Sequence, residues 1–166
     1  MATTIDSSIK SVLGASGLSI DKIVQGSTGA VLWNRATPYT ITAFQNYTWT
    51  WSSGYGAASE HEVRSNELYM LLERTGGGSV SQGFSAILPT QGCNRIRVKC
   101  STVNTYGSGA NASICGVLIH EEIRDQYVYL TIPDGTESIN FTAYLNCYEL
   151  ELEAELYVKE IYFYYE

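Results

Sequence analysis

The chain has 166 residues, enough for one domain with a short appendage and for a substantial core. Apolar residues make up 45% and charged residues 16%, which excludes a disordered chain, and the net charge of −7 argues against a nucleic-acid partner, since phosphate binding needs a basic face. The same sign opposes anionic membrane surfaces, and no run approaches the roughly 20 apolar residues of a membrane span. Neither a nucleic-acid partner nor membrane insertion is expected.

Met1 to Asp6 carry neither the basic leader nor the apolar run of a secretory signal, so the chain is expected to be assembled in a cytoplasm or already processed. Sequons at Asn46, Asn111 and Asn140 are accordingly read as chance. Residues 1–35 differ from the rest. Ile5, Ile9, Val12 and Leu13 fit one helical face with Gly14 as a stop. Three brief apolar pieces, around Ile9–Val12, Ile20–Val24 and Ala30–Trp33, are separated by Gly/Ser stretches. Pieces so short cannot bury a core alone, which predicts an attachment segment that packs on a partner through Ile9, Val12, Ile20, Ile23, Val31 and Trp33.

From Ala36 onward the pattern is that of strands. Short strands are predicted at Tyr39–Phe44, Tyr47–Trp51, Glu67–Glu73, Phe84–Leu88 and Ser113–His120, with glycine-rich breaks between several of them. Ser59-Glu60-His61-Glu62 has capping-box spacing, which allows a short helix there. The clearest strands lie further on. Ile96, Val98 and Cys100 alternate with Arg95, Arg97 and Lys99; Val128, Leu130 and Ile132 alternate with Tyr127, Tyr129 and Thr131; Ile139 to Leu145 alternate likewise. Leu150, Leu152, Ala154, Leu156 and Val158 alternate with glutamates, and the phase then slips near Glu160, where a bulge is expected. About eight short strands without alternating helices predict an all-β antiparallel sandwich of jelly-roll type over residues 36–166, preceded by the β-rich segment 1–35.

The sequence offers little to catalysis. His61 and His120 are the only histidines, His120-Glu121-Glu122 lacks the second histidine of a zinc-protease motif, and there is no nucleophile elbow or phosphate-binding loop. Cys93, Cys100, Cys115 and Cys147 lack metal-ligand spacing and read as buried free thiols. No catalytic residue, metal or cofactor is expected. Glu149, Glu151, Glu153 and Glu155 would form a carboxylate row on one strand face, solvated or paired with Arg95, Arg97 and Lys99. Aromatic residues are the candidate binding groups. Tyr47, Trp49 and Trp51 share one phase, which fits a sugar-stacking row or, more simply, core. Tyr127 and Tyr129 take the outward phase, which fits glycan contact and burial against another subunit equally.

Three stretches carry a resemblance to a known class. Ile9-Lys10-Ser11-Val12 with Ile20-Asp21-Lys22-Ile23-Val24 and Gly29-Ala30-Val31-Leu32-Trp33 resembles a leader found on virion proteins of tailed phages. Leu156–Phe163 and Ala112–Val117 resemble strands of the jelly rolls that follow it. The resemblance implies a non-enzymatic structural protein of a phage or prophage virion, of tail, baseplate or head-fibre type. It would be located in the virion and assembled in the bacterial cytoplasm. Its partners would be other virion proteins and its own copies, as a homotrimer, with a host-surface polysaccharide as the ligand displayed to. The alternative is a free carbohydrate-binding module or lectin; a glycan-cleaving enzyme ranks third.

Overall fold

A computed structural model describes residues 22–24, 31–34, 36–52, 57–76, 79–105 and 109–166. The strands in chain order are β1 (Lys22–Val24), β2 (Val31–Asn34), β3 (Tyr39–Ile41), β4 (Thr50–Ser52), β5 (Ala57–Val63), β6 (Leu68–Arg74) and β7 (Val80–Pro89). They continue with β8 (Arg95–Val103), β9 (Ala110–Ile114), β10 (Val117–Ile119), β11 (Gln126–Thr131), β12 (Ser138–Cys147) and β13 (Glu153–Tyr164). One sheet runs β10-β9-β12-β7-β4; the other runs β11-β8-β13-β6-β5, with β3 added beside the far end of β13. Every pairing is antiparallel. From β7 onward the chain crosses between the two sheets at every connection except the β9–β10 hairpin, and this crossing makes the sandwich a jelly roll.

Period-2 patterning explains why these segments pair as they do. Ile96, Val98 and Cys100 of β8, Leu156, Val158, Ile161 and Phe163 of β13, and Leu68, Met70 and Leu72 of β6 all point inward and are buried. They meet Phe84, Ala86 and Leu88 of β7 and Phe141, Ala143 and Leu145 of β12. Burying side chains of this size supplies roughly 1.5–3 kcal/mol each, which drives the closure of the two layers. The phase slip near Glu160 is a bulge: Val158 lies opposite Cys100 and Glu160 opposite Lys99, so Lys159 is the extra residue.

Several expectations need correction. Ser59–Glu62 is not helical but lies within β5, because Glu60 and Glu62 alternate with His61 and Val63 and the backbone pairs with β6. Tyr47–Trp51 is not one strand; a 3-10 turn at Phe44–Asn46 precedes it and only Thr50–Ser52 pairs with β7. Ser113–His120 is a hairpin, turned at Cys115 (φ 47) and Gly116 (φ 84), the left-handed pair that a two-residue loop demands. The last strand starts at Glu153, since Tyr148 and Glu149 donate backbone bonds to Gly109 and Glu151 adopts φ 62.

All four cysteines are free, three of them buried. Of the predicted attachment segment, Ile9, Val12 and Ile20 lie outside the described residues, as does the helical face from Ile5 to Leu13. Ile23 falls in β1 and Val31 and Trp33 in β2, two strands that pair with each other. Among the described residues no helix is long and apolar enough to cross a membrane.

Candidate functional site

Alternation within β11, β8, β13, β6 and β5 fixes what the outer face of the six-stranded sheet carries. The residues out of phase with the core fall into register across the strands. Tyr129 lies opposite Arg97, and Arg97 opposite Tyr162; Tyr127 lies opposite Lys99, and Lys99 opposite Glu160. Arg95 is flanked by Thr131 and Tyr164, while Tyr157 is flanked by Ser101 and Tyr69. Six tyrosines thus share one face with four cations, because the bulge turns Lys159 outward beside Glu160.

These side chains hold one another in place. The Arg97 guanidinium lies 5.0 Å from the centroid of the Tyr127 ring and 4.6 Å from that of Tyr162, a double cation–π contact. Tyr162 stacks on Tyr164 at 5.5 Å, and Tyr69 leans on Tyr157 at 5.1 Å. Lys159 Nζ donates to Asp125 Oδ1 at 2.8 Å, and Lys99 Nζ stands 3.9 Å from the same oxygen. The hydrogen bond from Lys159 holds the Asp125 carboxyl below its ordinary range, with the nearby positive charges adding to it. Burial, then the hydrogen bond it donates to Glu155, pushes the Tyr157 phenol up, so that it stays a neutral donor.

The strand β11 ends this sheet and β10 ends the other. Between them runs an open groove of about 560 Å³ lined by Val117, Leu118, His120, Glu121, Gln126, Tyr127 and Tyr129, among others. Its volume lies in the range of small-ligand sites, and its walls combine apolar side chains with a few polar groups. Tyr127 and Tyr129 belong to both the face and the groove, and are 39% and 63% exposed. The outward orientation expected for them is the one found.

The tryptophans sit elsewhere. Trp49 is half-buried, its rings edge-on to Phe84 at 6.4 Å and Phe141 at 6.0 Å, and its Nε1 donates to the Phe44 carbonyl at 2.9 Å. Trp51 stacks on His61 at 4.1 Å and abuts Phe84, which places it in the far wall of the core. Tyr47 packs against the same core from outside β4. Trp49 and Trp51 are therefore turned to the core, and the three residues, at the β4 edge, are not brought beside Tyr127 and Tyr129 of β11.

The carboxylate row is also dispersed. Glu149 and Glu151 lie in the turn before β13, and Glu153 and Glu155 face Glu73 and Leu71 of β6. Arg95, Arg97 and Lys99 meet Glu166, Glu160 and Asp125 instead. Among the described residues no cluster of His, Cys, Asp or Glu is placed to hold a metal ion. Sequence reasoning overlooked Tyr69, Tyr157, Tyr162, Tyr164 and Arg97 as site residues. Their outward phase was readable, but the adjacency of β11, β8, β13 and β6 was not.

No family model and no curated protein matches the chain. Among solved structures it is similar to the xylan binding module CBM86 of Roseburia intestinalis, with 9% identity over 78% of this chain and 96% of that one, and a TM-score of 0.45. It is similar to the family 11 carbohydrate-binding module of Clostridium thermocellum in complex with a β-1,3-1,4-mixed-linked tetrasaccharide, with 14% identity, 80% and 98% coverage and a TM-score of 0.46. A weaker similarity is to tailspike protein 4 of bacteriophage CBA120, with 16% identity over 74% of this chain, 19% of that one and a TM-score of 0.26. The likenesses are low in identity and in superposition, and no ligand or residue role is carried over from them.

Proposed function

We propose that the chain is a glycan-binding sandwich whose ligand lies along the tyrosine-bearing outer face of the six-stranded sheet and over its β11 edge. One observation carries this reading: Tyr69, Tyr127, Tyr129, Tyr157, Tyr162 and Tyr164 share that face with fixed charged donors and acceptors. A tyrosine ring offers an apolar body to the C–H surface of a sugar and a polar tip to its hydroxyls. Arg97, Lys159 and Asp125 are held by neighbours, so little side-chain freedom is lost when a hydroxyl bonds to them. The free binding module is thus favoured over the virion role, and a homotrimer finds no specific support. Assembly through residues 1–35 stands as a separate proposal.

The test is affinity electrophoresis and calorimetry of the full chain against soluble polysaccharides, beginning with xylan and β-1,3-1,4-glucan and extending to acidic bacterial exopolysaccharides. A shallow exposed site of this kind is expected to bind with Kd between about 1 μM and 1 mM, roughly −8 to −4 kcal/mol. Retardation that disappears in the Tyr127→Ala, Tyr129→Ala double variant supports the reading. Absence of binding across the panel by a protein with intact β circular dichroism overturns it.

A further inference from the structure

The two open sides of the sandwich treat their edge strands differently. On one side the sheets end in β4 and β5. The first is three residues long, the second carries Glu60 and Glu62, and the Trp51–His61 stack joins the two edges. Short strands and charged side chains are the means by which proteins keep sheet edges from pairing with other chains.

On the other side the sheets end in β10, as short as β4, and in the six-residue β11, and among the described residues no strand pairs with their outer edges, so the difference between the two sides lies in β11 against the charged β5. Val117–Ile119 and Gln126–Thr131 contain no charged residue, no proline and no bulge. Val117, Leu118, Tyr127 and Tyr129 are all exposed there. A six-residue uncharged edge is a template for another strand.

We infer that this side is a self-association surface, in which β11 pairs antiparallel with β11 of a second copy across a two-fold axis. Charge selects the occupant. Each copy carries −7, so most surfaces would oppose carboxylates to carboxylates, and the β5 edge would set Glu60 and Glu62 against their own counterparts. The β11 edge can face itself without that opposition. Side-chain phase narrows the register, since paired residues point to the same side of a sheet and a one-residue slip would set the inward Val128 against an outward tyrosine. Centring the pair on Val128 sets Tyr127 opposite Tyr129 of the second copy, twice, and aromatic cross-strand pairs of this kind are stabilising. The dimer joins two six-stranded sheets into one and carries the tyrosine face across both copies. Self-association does not depend on whether that face binds a glycan.

Sedimentation equilibrium of the full chain, taken up to a few hundred micromolar, tests it. The expected mass is twice the 18.3 kDa of one chain. Tyr129→Lys and Leu118→Lys, both at exposed positions, should return the protein to a monomer at concentrations where the unaltered chain is dimeric. Each also lowers the net negative charge, so general repulsion cannot account for dissociation. Glu60→Lys on the opposite side should leave the dimer intact. A Tyr127→Cys, Tyr129→Cys double variant should oxidise to a covalent dimer, which checks the register even if a lysine variant fails to fold. A monomer at every concentration, a trimer, or a dimer indifferent to both lysines would overturn the inference.

Discussion

The outer faces of the two sheets are made by the same alternation and have opposite chemistry. On the five-stranded sheet the outward residues include Thr50 and Ser52, Ser81, Gly83, Ser85, Ile87 and Pro89, Asn111 and Ser113, Leu118, and Ser138, Asn140, Thr142, Tyr144 and Asn146. None is charged. Two of them are tied together: Asn146 Nδ2 donates to Asn111 Oδ1 at 2.8 Å, and Asn111 Nδ2 to the Tyr148 hydroxyl at 3.1 Å. Tyr144 lies over Gly83 so closely that a Cβ there would meet the Ala143 carbonyl oxygen at 2.1 Å. The six-stranded sheet instead presents rings, cations and carboxylates, with Tyr129 largely in solvent. A face of small uncharged side chains offers a ligand little to stack on or pair with, whereas one with exposed rings between anchored charges is available to it.

That contrast is sharpened most strongly by Gly83→Ala. Its Cβ has no room against Ala143 and Tyr144, so unfolding free energy should fall by about 1–3 kcal/mol, as overpacking typically costs. Chemical denaturation measures this, and glycan affinity below the transition should be unchanged. An equal loss of binding would show that the two faces are not independent.

A somewhat smaller effect of the opposite kind is expected from Tyr129→Ala. Removing this exposed ring should change stability by less than about 0.5 kcal/mol, the usual range for surface substitutions. Binding to whichever polysaccharide the unaltered chain retains should weaken about tenfold, or ~1.4 kcal/mol, by calorimetry. Stability loss without loss of binding would place Tyr129 in the packing rather than in the site.

The smallest effect is alkaline and belongs to neither face. Burial pushes the Cys100 thiol from its ordinary 9.0 up to about 11. In the unfolded chain it ionises first, so the folded state holds more protons between those values and stability falls as pH rises through that window. Tyr39 and Tyr157, also raised mainly by burial, act in the same direction. Denaturation midpoints should be level from neutral pH to pH 9 and decline above it. A midpoint that rises there would contradict the buried, neutral thiol.

Much of the fold was present in local pattern. Ile96-x-Val98-x-Cys100 and Val128-x-Leu130 could satisfy their apolar phase only by facing a core, and the slip before Ile161 could be resolved only by an extra residue. The outward phase of Tyr127 and Tyr129 followed from the same rule. The Ser59–Glu62 spacing misled because a capping box is a local preference of about a kilocalorie, outweighed here by pairing along the whole of β6. Trp49 and Trp51 shared a phase in sequence, and that phase is the inward one: both rings meet Phe84, which is the core reading rather than the sugar-stacking one.

By itself, the sequence determined which residues of each strand face inward, because alternation is set by backbone geometry within a few residues. Only the tertiary structure decided which strands became neighbours, since pairing joins segments far apart in the chain and depends on the closing of both layers. Tyr69, Arg97, Tyr127 and Tyr162 come from four strands, β6, β8, β11 and β13, and no local rule places them on one surface.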